Sequence, residues 1–168
     1  MTWPSPWNLR NRIWLITAGE TGRIVWMEDE PIYDRTWDVW STKHMYVGDM
    51  SANSRTAKAL LLSEKIGLFT NELQTEEEPY GWTILFSEPL DASYEKYYLS
   101  EMRKAGYEMI ALVQNLDHVT FRYTIDGEEL EDTYFAEDAS KGFGQDVKNC
   151  WTSVKLFQNY VHWLDTSD

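Results

Sequence analysis

Three histidines, one cysteine and two dense acidic runs are the groups in this 168-residue chain whose types could do chemistry. His44, His118 and His162 stand far apart, on separate elements of the pattern. A zinc site needs ligands spaced so that two side chains reach one ion, and neither His-Glu-x-x-His nor Cys-x-x-Cys occurs. The histidines therefore read as surface or core residues, and no metal site or cofactor is assigned. Cys150 is the single cysteine, so no intramolecular disulfide can form. It falls on a helical pattern, where a buried inert thiol is expected. No Gly-x-Ser-x-Gly elbow marks a nucleophile. Gly142-Phe143-Gly144 offers two glycines without the third, or the Gly-Lys-Ser/Thr, of a phosphate cradle, and reads as a loop. No catalytic residue is assigned.

The acidic runs carry a second kind of chemistry. Glu76, Glu77 and Glu78 lead into Pro79-Tyr80-Gly81. From Asp126 to Asp138 there are seven acidic residues and no basic one. Hard cations take oxygen ligands, which makes Glu76, Glu77, Glu78, Asp126 and Glu128 the candidates for a cation or a basic partner. The competing reading is a solvated connection, since the spacing after Asp126 is not that of a calcium loop. Tryptophan is the third resource. Six of the nine fall within the first 40 residues. They read as core filler for a hairpin or as an exposed platform for a protein, sugar or membrane surface. Trp3 and Trp7, flanking two prolines, with Trp37, Trp40, Tyr80 and Trp82, are the binding candidates. Trp14 and Trp26 are placed to stack across a hairpin.

The elements that must position these groups belong to one domain of ordinary globular composition, 43% hydrophobic and 26% charged. No apolar run approaches the roughly 18 residues of a membrane span. Net charge is −13, which disfavours direct nucleic-acid binding and suits solubility, a basic partner or nucleic-acid mimicry. If Met1 is the native start, the expected compartment is the cytoplasm.

Residues 1–38 form a Trp-rich arm and an N-terminal β-hairpin, with strands at Asn11–Thr17 and Arg23–Met27. Residues 39–168 form the main body. Residues 33–46 read as a loop or short helix. Asp49 or Ser51 caps a helix running from about Ala52 to Lys65 and stopped by Gly67. Strands follow at Leu68–Thr75 and Trp82–Phe86, then a helix capped by Asp91. Gly106 interrupts that pattern, so one kinked helix and two consecutive helices both stand. His118 to Ile125 alternates with Val119, Phe121, Tyr123 and Ile125 on one face, and Leu130–Phe135 returns as its partner. Val147, Trp151, Val154, Phe157, Val161 and Leu164 give a last amphipathic helix. The sum is an α+β fold: a mainly antiparallel sheet with two to four helices packed on one face, plus the hairpin.

Met45-Tyr46-Val47-Gly48-Asp49-Met50-Ser51 and Leu73-Gln74-Thr75-Glu76-Glu77-Glu78-Pro79-Tyr80-Gly81, with Gln114-Asn115-Leu116-Asp117 and Val119-Thr120-Phe121, carry a resemblance. Over about Val39 to Leu164 the chain resembles a bacterial family, domain of unknown function 4825. It departs at Met50, where the pattern favours Asn, and at Trp82, where a smaller aliphatic is common. The family brings no activity. Its members resemble lipoproteins and outward-facing parts of membrane sensors, which implies a sensing or binding module that is extracytoplasmic or membrane-tethered if a leader was removed. The expected function is a non-enzymatic binding or sensory domain for a protein or small ligand. An acidic nucleic-acid mimic or inhibitor is the alternative, and a hydrolase without a signature the remote one.

Overall fold

The computed structural model describes residues 14–18, 24–28 and 30–167, and of the first two segments the backbone. Trp14–Ala18 (β1) and Ile24–Glu28 (β2) pair antiparallel as a two-stranded sheet. Each extends one residue beyond the expected C-terminal limit. Trp14 faces Glu28 across the ladder and Trp26 faces Ile16, so the two tryptophans are offset rather than opposite. The arm with Trp3 and Trp7 lies outside the described residues.

The body begins with three helices, Asp34–Trp40 (α1), Met50–Ala59 (α2) and Leu62–Lys65 (α3). Asp49 is the cap of α2, its Oδ1 accepting from the Ala52 N–H at 3.0 Å. The single helix expected to Lys65 is broken at Leu61, which adopts a left-handed backbone (φ 57°). Consecutive helical residues point about 100° apart, so Leu60, Leu61 and Leu62 cannot all face one core. The break buries Leu60 and Leu62 and leaves Leu61 outside; this offsets a left-handed cost of roughly 1–2 kcal/mol.

Phe69–Gln74 (β3), Tyr80–Phe86 (β4), Leu116–Ile125 (β5) and Glu128–Phe135 (β6) form one sheet in the order β3-β4-β5-β6. The outer pairs are antiparallel, but β4 and β5 are parallel. The sheet is therefore mixed, which corrects the mainly antiparallel expectation. The cause is Glu95–Leu112 (α4), reached through a 3-10 turn at Ala92–Tyr94 and continuous for 18 residues. It carries the chain back along the sheet, so β5 starts at the same end as β4. Gly106 does not interrupt it. A Cβ there would stand 3.1 Å from both the Phe121 and Tyr134 rings, so glycine lets α4 approach the sheet closely. The opposite sheet face, with Thr70, Glu72, Arg122 and Glu131, is exposed.

Ala136–Phe143 (α5) takes in Gly142 and Phe143, which read as a loop from the sequence, and the end of the acidic run. Glu137 and Asp138 sit in its first turn, where carboxylates suit the helix dipole. Gly144 ends it with φ 90°. The expected last helix divides into a 3-10 segment, Val147–Thr152, and Val154–Thr166 (α6). Ser153 is extended between them and its Oγ accepts from the Leu156 N–H. The apolar spacing of three residues suits either helix type, so periodicity alone misses the seam. The core joins Trp82, Ile84, Val119 and Phe121 of the sheet to α4, and Phe157, Tyr160 and Leu164 of α6 to the other side.

Candidate functional site

The end of α4 sets up the first recess. Met109 to Val113 is apolar throughout and fully buried. A helix end surrounded by protein cannot turn its last carbonyls to water, so they need internal partners. Two segments supply them. The His44 N–H donates to the Leu112 carbonyl, and the Gln114 and Asn115 amides donate to the His44 and Met45 carbonyls. Asn115 Oδ1 accepts from the Val47 N–H at 2.8 Å, and Asn53 donates to the Val47 carbonyl at 2.6 Å. The stretch from Met45 to Ser51 is thereby docked on the α4–β5 connection. From the other side Lys148 inserts its amine, donating to the carbonyls of Ile110 at 2.6 Å, Val113 at 2.9 Å and Leu116 at 2.5 Å. Burial pushes Lys148 down to about 8, opposed by the carboxylates of Asp146 and Asp117.

Above this floor lies an open groove of about 460 Å³ walled by Glu78, Tyr80, Gln114, Asp117 and Lys148. Tyr80 pairs with Leu116 in the parallel ladder, which brings the second sequence block beside the first. The peptide bond between Glu78 and Pro79 is cis. Asp117 Oδ2 contacts His118 Nδ1 at 3.1 Å. Gln114 Oε1 is buried and accepts no hydrogen bond among the described residues. Lys148 cannot serve it, because its three donors are spent on backbone.

The second recess is enclosed by helices. Leu60, Leu62, Ile66 and Leu164 are among the walls of a cavity of about 190 Å³. Arg35, Lys65, Glu101, Lys104, Glu108 and Asp165 supply its charge. Lys65 pairs with Glu101 at 3.2 Å and Lys104 with Asp165 at 3.7 Å. Burial pushes Glu108 up to about 7; Lys65 and Arg35 oppose this, while Asp165 and Glu101 add to it.

The predicted binding residues scatter. Trp82 is fully buried, its indole N–H donating to Asn71 at 2.8 Å, so it is core and offers a partner no surface. Trp40 is half-buried, its indole N–H donating to the Cys150 carbonyl at 2.8 Å, with Lys43 over its ring at 4.1 Å. Trp37 packs edge-on to Trp40 and stays partly exposed. Glu76, Glu77 and Glu78 are exposed at the β3–β4 connection. Asp126 and Glu128 are exposed at the other end of the sheet. The ten-residue β5 separates the two acidic segments by about 30 Å, so they do not form one site. Of the other acids in the second run, Glu131 is engaged by Arg122 at 2.6 Å and Asp132 by the Tyr123 hydroxyl. Among the described residues no group of three or more His, Cys, Asp or Glu could hold a metal ion. Nor is any helix there long and apolar enough to cross a membrane.

Lys148 and Glu108 escape a motif search, and Gln114 enters it only as the first residue of Gln114-Asn115-Leu116-Asp117, without a role. Their signals are an apolar helix end without a glycine cap, followed at once by a polar amide, and a lone acid inside the run Tyr107-Glu108-Met109-Ile110-Ala111.

A family model described as a domain of unknown function (DUF4825) matches residues 39–135, from the end of α1 to the end of β6. The match stops at β6 rather than reaching α6, shorter than the resemblance had suggested. No curated protein and no solved structure matches the chain. With more than half of its length matched, and with both sequence blocks inside that span, the chain belongs to the DUF4825 domain-of-unknown-function family.

Proposed function

We propose that this chain is a non-enzymatic recognition domain whose sheet-end groove receives an ammonium or guanidinium group of a protein partner. The observation that carries the reading is the buried, unpartnered Oε1 of Gln114. An unsatisfied buried acceptor costs about 1–3 kcal/mol, and a donor brought by a partner removes that cost. Carboxylates of Glu78 and Asp117 stand around the same groove. The net charge of −13 draws cationic partners toward the whole surface. Two of the side chains that could act as nucleophile or base, Cys150 and His44, are committed elsewhere. Cys150 is buried and its thiol is pushed up to about 12. Both ring nitrogens of His44 are engaged, by Thr42 and Asn53. The family resemblance adds a sensory or tethered setting to this reading.

The test is a titration of the chain, followed by NMR amide shifts, with short lysine- or arginine-containing peptides and their norleucine counterparts. Shifts centred on residues 78–80 and 114–117, weakened by salt and by Gln114→Leu, are expected. Equal binding of the norleucine peptides would sink the reading.

A further inference from the structure

The helix-lined cavity is a different place with a different chemistry, and it does not depend on the groove. Four of its charged groups are paired with each other: Lys65 of α3 with Glu101 of α4, and Lys104 of α4 with Asp165 of α6. Two are left. The Glu108 carboxylate of α4 makes no hydrogen bond, and the Arg35 guanidinium of α1 makes no hydrogen bond or ion pair among the described residues. They feel each other electrostatically without being in contact. Glu108, partly buried, and Arg35, exposed at the surface, thus line one small space with leucine and isoleucine walls, neither with a side-chain partner among the described residues.

We propose that this cavity binds a small zwitterion with an apolar body, an aliphatic amino acid, its ammonium on Glu108 and its carboxylate on Arg35. Size agrees: about 190 Å³ is the share of roughly six waters, enough for a molecule of that class and too little for a nucleotide or a sugar chain. Apolar walls with a few convergent polar groups, one of them perturbed, are the usual make-up of such a pocket. A simple anion would leave Glu108 uncompensated, and a simple amine would leave Arg35 unused.

The experiment is calorimetric titration of the chain with leucine and valine, beside isoamylamine and isovalerate, which keep the body and drop one charged end. Leucine or valine should bind at least tenfold more tightly than either half-molecule. Glu108→Gln should abolish the preference over isovalerate, and Arg35→Gln the preference over isoamylamine. Both substitutions are nearly isosteric, and unchanged far-UV circular dichroism confirms folded variants. Affinity for leucine should rise from pH 6 to pH 8 as Glu108 ionises, in a cavity where Lys65, Arg35, Lys104, Glu101 and Asp165 face it. Glu108→Gln should be flat over that range. Equal binding of the half-molecules, no binding by any of the four, or indifference to both substitutions would each overturn the assignment.

Discussion

The groove and the cavity are both charged recesses beside α4, yet they are made in opposite ways. The groove arises where elements end. Its floor is backbone, the carbonyls of Ile110, Val113 and Leu116 held by one lysine, and its unmet group is a neutral oxygen. The cavity arises where helix sides face one another, and its unmet groups are an ionisable carboxyl and a guanidinium. Residues 39–135 supply Glu78, Tyr80, Gln114 and Asp117, while Arg35 and Asp165 close the cavity from outside that span. The contrast teaches that a charge can serve architecture or reception, and that its partners decide which. Lys148 has every donor occupied and is structural. Glu108 has none and is receptive.

Removing Lys148 tests the first half and should produce the largest effect. Lys148→Met leaves buried carbonyls at the end of α4 without their donor. Val113 retains the Leu116 amide, which limits the damage. The expected loss is about 3 kcal/mol in denaturant unfolding, from the cost of unsatisfied buried acceptors. A loss below roughly 1 kcal/mol would mean that water reaches these carbonyls, and the groove floor would not be the sealed surface described.

Glu108→Gln tests the second half, with the opposite sign. The native carboxyl holds its proton up to about 7, whereas the ordinary value is 4.5. Between those values the folded state binds more protons than the unfolded one, so stability falls as pH rises through that window. Above pH 7 the full penalty of about 3 kcal/mol is present, from the difference in pKa. Glutamine resembles the protonated acid and escapes it. The variant should match the wild type at pH 4 and melt several degrees higher at pH 8. A gain independent of pH would place the cause in packing rather than ionisation.

These contrasts also explain what could be read from the chain beforehand. Asp49 was legible as a cap because capping is settled within three residues. The alternation from Val119 to Ile125 was legible because one buried face imposes period two. The parallel pairing of β4 with β5 was not, since it depends on α4 passing unbroken through Gly106. That glycine is tolerated for a tertiary reason, the nearness of Phe121 and Tyr134. Tyr80 reads from sequence as a binding candidate and Glu78 as a cation candidate, and both line the groove. Trp82 was chosen as a large aromatic and is core, because its strand lies inside the sheet. Lys148 and Gln114 could not be joined from sequence, as only the fold brings residues 110–116 under residue 148.

A smaller effect belongs to the groove itself. Gln114→Leu replaces an unmet oxygen with carbon, so the isolated chain should gain about 1 kcal/mol in chemical denaturation. Loss of stability would show that Oε1 already has a partner, and the reading of the groove as receptive would fail with it.

The open face of the sheet gives the scale against which both recesses stand. There Arg122 reaches across three strands, to Glu131 of β6 at 2.6 Å and to Glu72 of β3 at 3.3 Å, with all three side chains about half exposed. Geometry alone would rank this triad above either recess. Water decides otherwise: exposed pairs contribute about 0–1 kcal/mol and fade with salt. Arg122→Thr keeps a β-forming residue and should leave the denaturation midpoint almost unchanged. The difference should vanish in 0.5 M sodium chloride. A clear loss of stability that survives salt would mean that this face is not bathed in water in the working protein, and the distinction between charges that build and charges that wait would have to extend to a third surface.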